Sequence, residues 1–291
     1  MPASIPPRAL TGRLEQAKAL DVPAQAIAKK VRQLLAPQGL KEAVSGTRLG
    51  HPVHPPLTDL VIGTFTSATL LDLLAPRTGE QAARRLIALG IGAAIPTAVT
   101  GSNDWADTEL SDATVRRVGL VHAGVNDVAL LLYGASWVAR WRGKRARGVL
   151  LALAGAAVLQ AGGYLGGHLS FVRGVGVNQT VFDPGPAEWT AVATASELTD
   201  GQPQSVEAAG TPLLVVRNAG VIHAIHDRCS HRGCLLSEGE LDGDVVTCSC
   251  HGSQFDVRDG AVLRGPAITG QPTFQTRENN GQVEVRIVSR G

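Results

Sequence analysis

The hydrophobic pattern changes period once along the chain. From Leu57 to Val172 nearly every residue outside short connections is apolar or small, whereas after Gln179 short apolar runs alternate with polar residues and glycine turns. In the first half, uncharged runs extend over 18 residues (Leu86 to Asn103) and 25 residues (Gly148 to Val172). A bilayer core of about 30 Å takes roughly 20 apolar residues in a helix, because lipid satisfies no backbone hydrogen bond. Val118 to Ala139 also qualifies, interrupted only by His122, Asn126 and Asp127, and Leu57 to Pro76 is the weakest of four predicted spans, since Asp59 and Asp72 lie inside it. Amphipathic periodicity is missing from the second and fourth spans, which counts against a soluble bundle. In the second half PLLVVR, a turn at Asn218 to Gly220, VIHAIHD, DVVTCSC and VEVRIV read as strands of a small antiparallel domain.

The expected organisation is therefore a helical four-span membrane bundle followed by an all-β domain. Its boundaries are an N-terminal, partly helical segment at 1–50, the spans at 51–172, a linker at 173–188 and the β domain at 189–291. The first fifty residues show no apolar signal core and read as mature protein. Within them Ile27, Val31, Leu34 and Leu35 recur at helical spacing opposite Lys29, Lys30 and Arg32, which fits a helix on anionic lipid or one packed on the protein.

Charge adds little globally and more locally. A formal net charge of +2 gives no reason to expect nucleic acid or another polyanion as partner. The Arg140 to Arg147 connection carries five bases and no acid, against four acids and two bases in Asp104 to Arg117. By the positive-inside rule the basic connection is cytoplasmic and the β domain lies outside, although the eight bases and three acids of the N-terminal segment pull the other way. The expected location is a bacterial cytoplasmic membrane, with the outer face favoured for the β domain.

All four cysteines fall between Cys229 and Cys250. In CSHRGC and CSCHGS, Cys229 with His231 and Cys248 with His251 offer one thiolate and one imidazole from each of two loops. Two Cys and two His suit tetrahedral zinc, but zinc sites commonly pair Cys with Cys and His with His along the chain. Mixed loops suit a 2Fe-2S cluster with thiolates on one iron and imidazoles on the other.

At these residues, with GSQFD and RGPA downstream, the sequence resembles a Rieske protein over roughly Trp189 to Val288. The resemblance implies a 2Fe-2S cluster held by Cys229 and Cys248 on the inner iron and His231 and His251 on the outer. It places Cys234 and Cys250 where Rieske subunits of cytochrome bc complexes carry a disulfide. Ser253 matches the family's hydroxyl donor to the cluster, Phe255 stands where high-potential members have a tyrosine, and Gly265, Pro266 and Ala267 match a loop that shields the cluster. The expected potential lies in the middle to upper part of the roughly −150 to +300 mV of Rieske centres.

HPVHPPLTDLVIG and GGYLGGHLSFVRGVGV resemble an uncharacterised bacterial four-helix membrane family sometimes fused to Rieske modules. Topology brings His51, His54, His122 and His168 to one end of the bundle. With Asp127 they are candidates for a b-type haem or a quinone, with His122 and His168 the preferred pair, against a purely structural role. His223 and His226, on one strand, read as structural or solvated. The expected function is a membrane-anchored one-electron carrier, linked to quinol or haem oxidation, rather than a self-contained enzyme. Its donor and acceptor would be a cytochrome, a quinone or a reductase. A ferredoxin-like component of an oxygenase system and a redox sensor are the alternatives.

Overall fold

Residues 6–287 are described by the computed structural model, so the last four residues of the expected β domain and the end of its last strand lie outside the described residues. Two units emerge, one of residues up to 37 with 53–175 and the other of residues 38–52 with 176–291.

The first unit is helical. After α1 (Pro6–Gln16) and α2 (Asp21–Leu34) come four long helices, α4 (His54–Leu74), α5 (Glu80–Thr108), α6 (Ala113–Trp141) and α7 (Arg145–Gly167). All four are long and apolar enough to cross a membrane, with mean hydropathies of 1.4, 1.3, 1.4 and, for α7 continued to Val172, 1.7. The predicted spans are found: the second and third reach further at both ends, the first begins at His54 rather than Leu57 and stops at Leu74, and the fourth begins at Arg145, with α7 giving way to a wider helical turn over His168–Val172. Their interior is made of small residues: Ala68, Ala83, Ala93, Ala129 and Ala152 are buried around Phe65, Ile87 and Tyr133. Large apolar side chains point the other way, with Leu60, Leu70, Leu89, Leu131 and Leu150 all exposed. A surface greasier than the core is the arrangement for hydrocarbon rather than water, since close helix packing in lipid relies on small residues. Asp72 and Arg140 are buried and paired to each other through both guanidinium nitrogens.

The N-terminal helices pack on this bundle. Helix α2 buries Ala24 and Ala28, not Ile27 or Leu34, which stay exposed. Arg32 donates to the fully buried Glu109 at 2.7 Å and to the Ala106 carbonyl at 2.6 Å, and Arg117 forks onto Asp21 at 2.8 and 2.7 Å. The apolar spacing thus located the helix but not its buried face, because Ala and a paired Arg do the packing.

The second unit is antiparallel β. Its strands are β1 (Thr190–Thr194), β2 (Gln204–Ala208), β3 (Thr211–Asn218), β4 (Val221–His226), β5 (Glu240–Asp242), β6 (Val245–Thr247), β7 (Gln254–Asp256), β8 (Val262–Arg264), β9 (Thr273–Asn279) and β10 (Gln282–Ile287). A six-stranded sheet has the order β1-β10-β9-β4-β3-β2 and a four-stranded sheet the order β5-β6-β7-β8. Ala219 and Gly220 turn β3 into β4 with positive φ of 49° and 82°, as a tight hairpin requires. Helix α3 (Gln38–Ser45) belongs to this unit, so the expected single segment 1–50 is divided after Pro37. The reason is a set of contacts from α3 to a loop more than two hundred residues downstream, which no local pattern records.

Candidate metal centre

Three loops meet at one end of the second unit: 229–234 between β4 and β5, 248–253 between β6 and β7, and 265–270 between β8 and β9. The first two are the same turn built twice. In each, the amide four residues after the cysteine donates to the cysteine carbonyl, Gly233 to Cys229 at 2.8 Å and Gly252 to Cys248 at 3.0 Å. The cysteine amide donates to the residue five on, Cys234 at 2.8 Å and Ser253 at 2.8 Å. Closing such a turn needs a left-handed residue, and Gly233 and Gly252 supply φ of 80° and 73°. The imidazole sits one position later in the second loop than in the first, so the sequence spacings differ while the backbone does not.

This turn aims amides at sulfur. Cys229 Sγ receives the N–H groups of His231 and Arg232, and Cys248 Sγ those of Cys250 and His251. Both cysteines are free of disulfide and 1% and 2% exposed, and they are bonded to each other. That shared proton, with the two amides, pulls the Cys248 thiol down to about 6 while its bond to Cys248 and burial push Cys229 up. His231 and His251 are half-buried on the outer side, their ring centroids 5.0 Å apart and their planes at 87°. Two sulfurs lie inside and two imidazoles outside.

Cys234 and Cys250 form a disulfide across the two loops. Their sulfurs and that of Cys248 lie within 4.8 Å of one another, and the bonded pair is unavailable to a metal, which leaves Cys248 as the one sulfur of that group open to coordination. Asp227 anchors the foot of the first loop, accepting from Ser205 Oγ at 2.7 Å and from Ser237 N and Oγ at 2.7 and 2.8 Å.

The third loop is bonded to both others. Ser230 Oγ donates to Thr269 O at 2.7 Å, and Ala267 N donates to Ser253 Oγ at 3.0 Å. Ser253 therefore uses a lone pair on the loop and keeps its O–H for another acceptor. Phe255 is fully buried beside Val246 and Leu236, so no hydroxyl is offered from that position. Gly265, Pro266 and Ala267 are buried, and α3 braces them: Gln38 Nε2 donates to Gly265 O at 3.1 Å and Gly265 N to Glu42 Oε1 at 3.4 Å. Sequence reading missed Gln38 and Glu42, for which no motif signal exists.

Among the described residues no three side chains that include a histidine outside the loops gather within reach of one metal. His226 is fully buried and accepts from Arg228 N at 3.0 Å, while His223 is half-exposed; an odd separation on a strand puts them on opposite faces. His51, which falls in the second unit, is exposed, with Nδ1 facing its neighbour Pro52 O, and in the helical unit Asp127 is exposed on α6. His54 Nδ1 lies 3.1 Å from Thr97 O, and His122 Nδ1 lies 3.0 Å from Gly162 O. His168 bonds through Nε2 to Glu15 at 2.8 Å rather than to His122.

The donor set fits an asymmetric 2Fe-2S cluster: deep, amide-stabilised thiolates suit a ferric iron and outward imidazoles a reducible one. Comparison with known proteins agrees. Residues 188–275 match the family model of the Rieske [2Fe-2S] domain, and residues 50–179 match that of a predicted membrane protein, DUF2231. The chain is 34% identical over 101 residues to the anthranilate 1,2-dioxygenase ferredoxin subunit of Burkholderia cepacia, covering 35% of this chain and 94% of that one. It is 36% identical over 98 residues to ferredoxin CarAc of Metapseudomonas resinovorans, covering 33% and 92%. To the cytochrome b6-f complex iron-sulfur subunit of Chlorobaculum tepidum it is 28% identical over 97 residues, covering 33% and 52%. The chain belongs to the Rieske [2Fe-2S] family, and the residues ahead of its Rieske domain match the model of a predicted membrane protein, DUF2231.

Proposed function

We propose that this protein carries single electrons at a bacterial cytoplasmic membrane, held there by its four apolar helices, with Cys229, His231, Cys248 and His251 as the cluster ligands. The carrying observation is the paired turn that sinks two amide-bonded sulfurs and turns two imidazoles outward. A 2Fe-2S cluster in that cradle takes up and returns one electron without making or breaking a covalent bond to substrate. The chain's own residues do the rest. Backbone amides on Cys229 and Cys248 favour added negative charge, Ser253 offers a further O–H, and the disulfide with the Ser230, Ser253 and α3 contacts holds the three loops in register.

The Cys234–Cys250 disulfide supports a location of the Rieske domain on the outer face, since cytosolic thiols are kept reduced. Its partners would be a membrane cytochrome or quinone on one side of the reaction and a soluble protein on the other. A second reading, a membrane-held relative of oxygenase ferredoxins, is favoured by the two ferredoxins covered over more than nine-tenths of their length. Reduction of the purified full chain followed by electron paramagnetic resonance tests the first statement. A Rieske signal, abolished in His231→Ala and His251→Ala, is the expected result; stoichiometric zinc with no iron would overturn it.

A further inference from the structure

The helical unit is one hairpin used twice. Shifting α4 by 68 positions onto α6 superimposes Val53-His54 on Val121-His122, Thr58-Asp59 on Asn126-Asp127, Phe65 on Tyr133 and Asp72 on Arg140. Shifting α5 by 65 onto α7 superimposes Gly90 on Gly155 and Gly101 on Gly166. The equivalent residues make equivalent or mutual contacts. Phe65 and Tyr133 stack on each other with centroids 3.8 Å apart, and Asp72 and Arg140 pair with each other. Gly90 abuts Phe65 as Gly155 abuts Tyr133, and Gly101 abuts His54 as Gly166 abuts His122. Residues that meet their own equivalents must lie on a pseudo-twofold axis, here between α4 and α6.

His54, Phe65 and Asp72 are eleven and seven residues apart, three and two helical turns, so they share the axis-facing side of α4, and His122, Tyr133 and Arg140 share that of α6. The histidine pair is thus the third layer of the axis, at the end where the chain enters α4. Each Nδ1 faces a carbonyl oxygen, Thr97 O at 3.1 Å and Gly162 O at 3.0 Å. A carbonyl only accepts, so each Nδ1 is the donor and each Nε2 is the nitrogen left to face a ligand, the orientation of a histidine that binds a metal through Nε2. Thr58 Oγ1 and Asn126 Nδ2, again equivalent, stand 3.5 and 3.3 Å from those Nε2 atoms and bond back to the carbonyls of their own histidines at 2.9 and 2.8 Å. A Cβ on Gly101 would lie 2.6 Å from His54 Cε1 and one on Gly166 3.0 Å from His122 Cε1, so the glycines are what let the rings lie there.

From this symmetry we infer that His54 and His122 are the two axial ligands of one haem, bound on the pseudo-twofold axis of the membrane unit. Among the described residues the one group of three or more metal-ligating side chains within reach of one another is at the cysteines, so the histidine pair supplies two ligands only. Zinc takes four protein or water ligands, whereas haem brings four nitrogens of its own and takes two imidazoles. A haem iron also exchanges one electron at a time, as the Rieske cluster does, while a quinol releases two electrons with two protons and needs a second acceptor. The proposal rests on reading the chain as an electron carrier, and its test is separate from that reading.

The full chain, purified in detergent from haem-replete membranes, is examined by optical spectroscopy and electron paramagnetic resonance, with haem and iron-sulfur signals read independently. One low-spin b-type haem per chain is expected. His54→Ala and His122→Ala should each lower haem content roughly tenfold or more while the Rieske signal persists, and added imidazole should restore a low-spin spectrum. Gly101→Leu should do the same by displacing His54, and Gly163→Leu, where a side chain meets open space, should not. Wild-type protein with an intact Rieske signal that takes up no haem even from added haemin would overturn the proposal. So would an unchanged low-spin spectrum in both alanine variants, or haem-free protein whose cluster is reduced by a quinol analogue in a His54-dependent way. Haem without any Rieske signal would leave this site standing and reject the electron-carrier reading.

Discussion

The two units hold their paired histidines by opposite means. In the Rieske unit His231 and His251 sit on loops, and their places are set by turn chemistry: a left-handed glycine in each loop, a disulfide between them, and serine hydroxyls to a third loop. In the membrane unit His54 and His122 sit on rigid helices and are set by carbonyls and glycines of the neighbouring helices. Where water competes for every polar group, a site on loops needs many cross-links; in lipid a carbonyl on the next helix suffices, because no solvent competes for it. Loss of one brace should therefore loosen the loops gradually, whereas loss of one buried charge in the bundle should act as a whole.

The largest expected effect is at the cluster itself. Cys229→Ser or Cys248→Ser removes an inner ligand and should eliminate the Rieske signal and most bound iron, while circular dichroism shows the helices of the other unit intact. Helical loss in either variant would show instead that the substitution acts through folding and not through a lost ligand.

Next is the buried pair of the bundle. Asp72→Asn leaves Arg140 buried without its counter-charge, at a cost of roughly 3–5 kcal/mol, measurable as a lowered midpoint in detergent denaturation. The exchange of Asp72→Arg with Arg140→Asp should recover much of this, since the two positions are equivalent about the axis.

Cys234→Ser with Cys250→Ser removes a cross-link closing a sequence separation of 16 residues, worth about 3 kcal/mol by loop-closure entropy. The cluster should be assembled but lost faster on warming, followed by bleaching. Unchanged kinetics would show that Ser230, Ser253 and α3 suffice.

A smaller change is expected from Phe255→Tyr. A new hydroxyl near a ligand sulfur should raise the potential by roughly 20–65 mV, the equivalent of one hydrogen bond of about 0.5–1.5 kcal/mol. Phe255 is fully buried, so a fall in potential with a loosened core would show that the hydroxyl finds no room to bond.

The smallest effect is on pH. The bond from Arg173 to Glu15, together with that from His168, holds the Glu15 carboxyl below its ordinary 4.5 despite the opposing effect of burial. A depressed carboxyl contributes stability above its unfolded value and loses it as pH falls through the folded one. The docking of α1 should thus weaken below about pH 4.5, seen as faster amide exchange in residues 6–16, and not in Glu15→Gln.

Much of this protein was legible in the sequence because its signals are local. Twenty apolar residues in a row state a span, and CSHRGC with CSCHGS state the Cys and His donor set and the turn that carries it, since each turn closes within six residues. The disulfide pairing was legible only through the family's pattern. What the tertiary structure decided is whatever depends on distant partners. Helix α3 belongs to the Rieske unit because Gln38 and Glu42 bond to Gly265, and His168 turns to Glu15. The equivalence of α4 with α6 is written in few identities, because packing in lipid asks only that residues on the axis fit their opposite numbers, and Phe against Tyr or Asp against Arg meets that demand without sequence likeness.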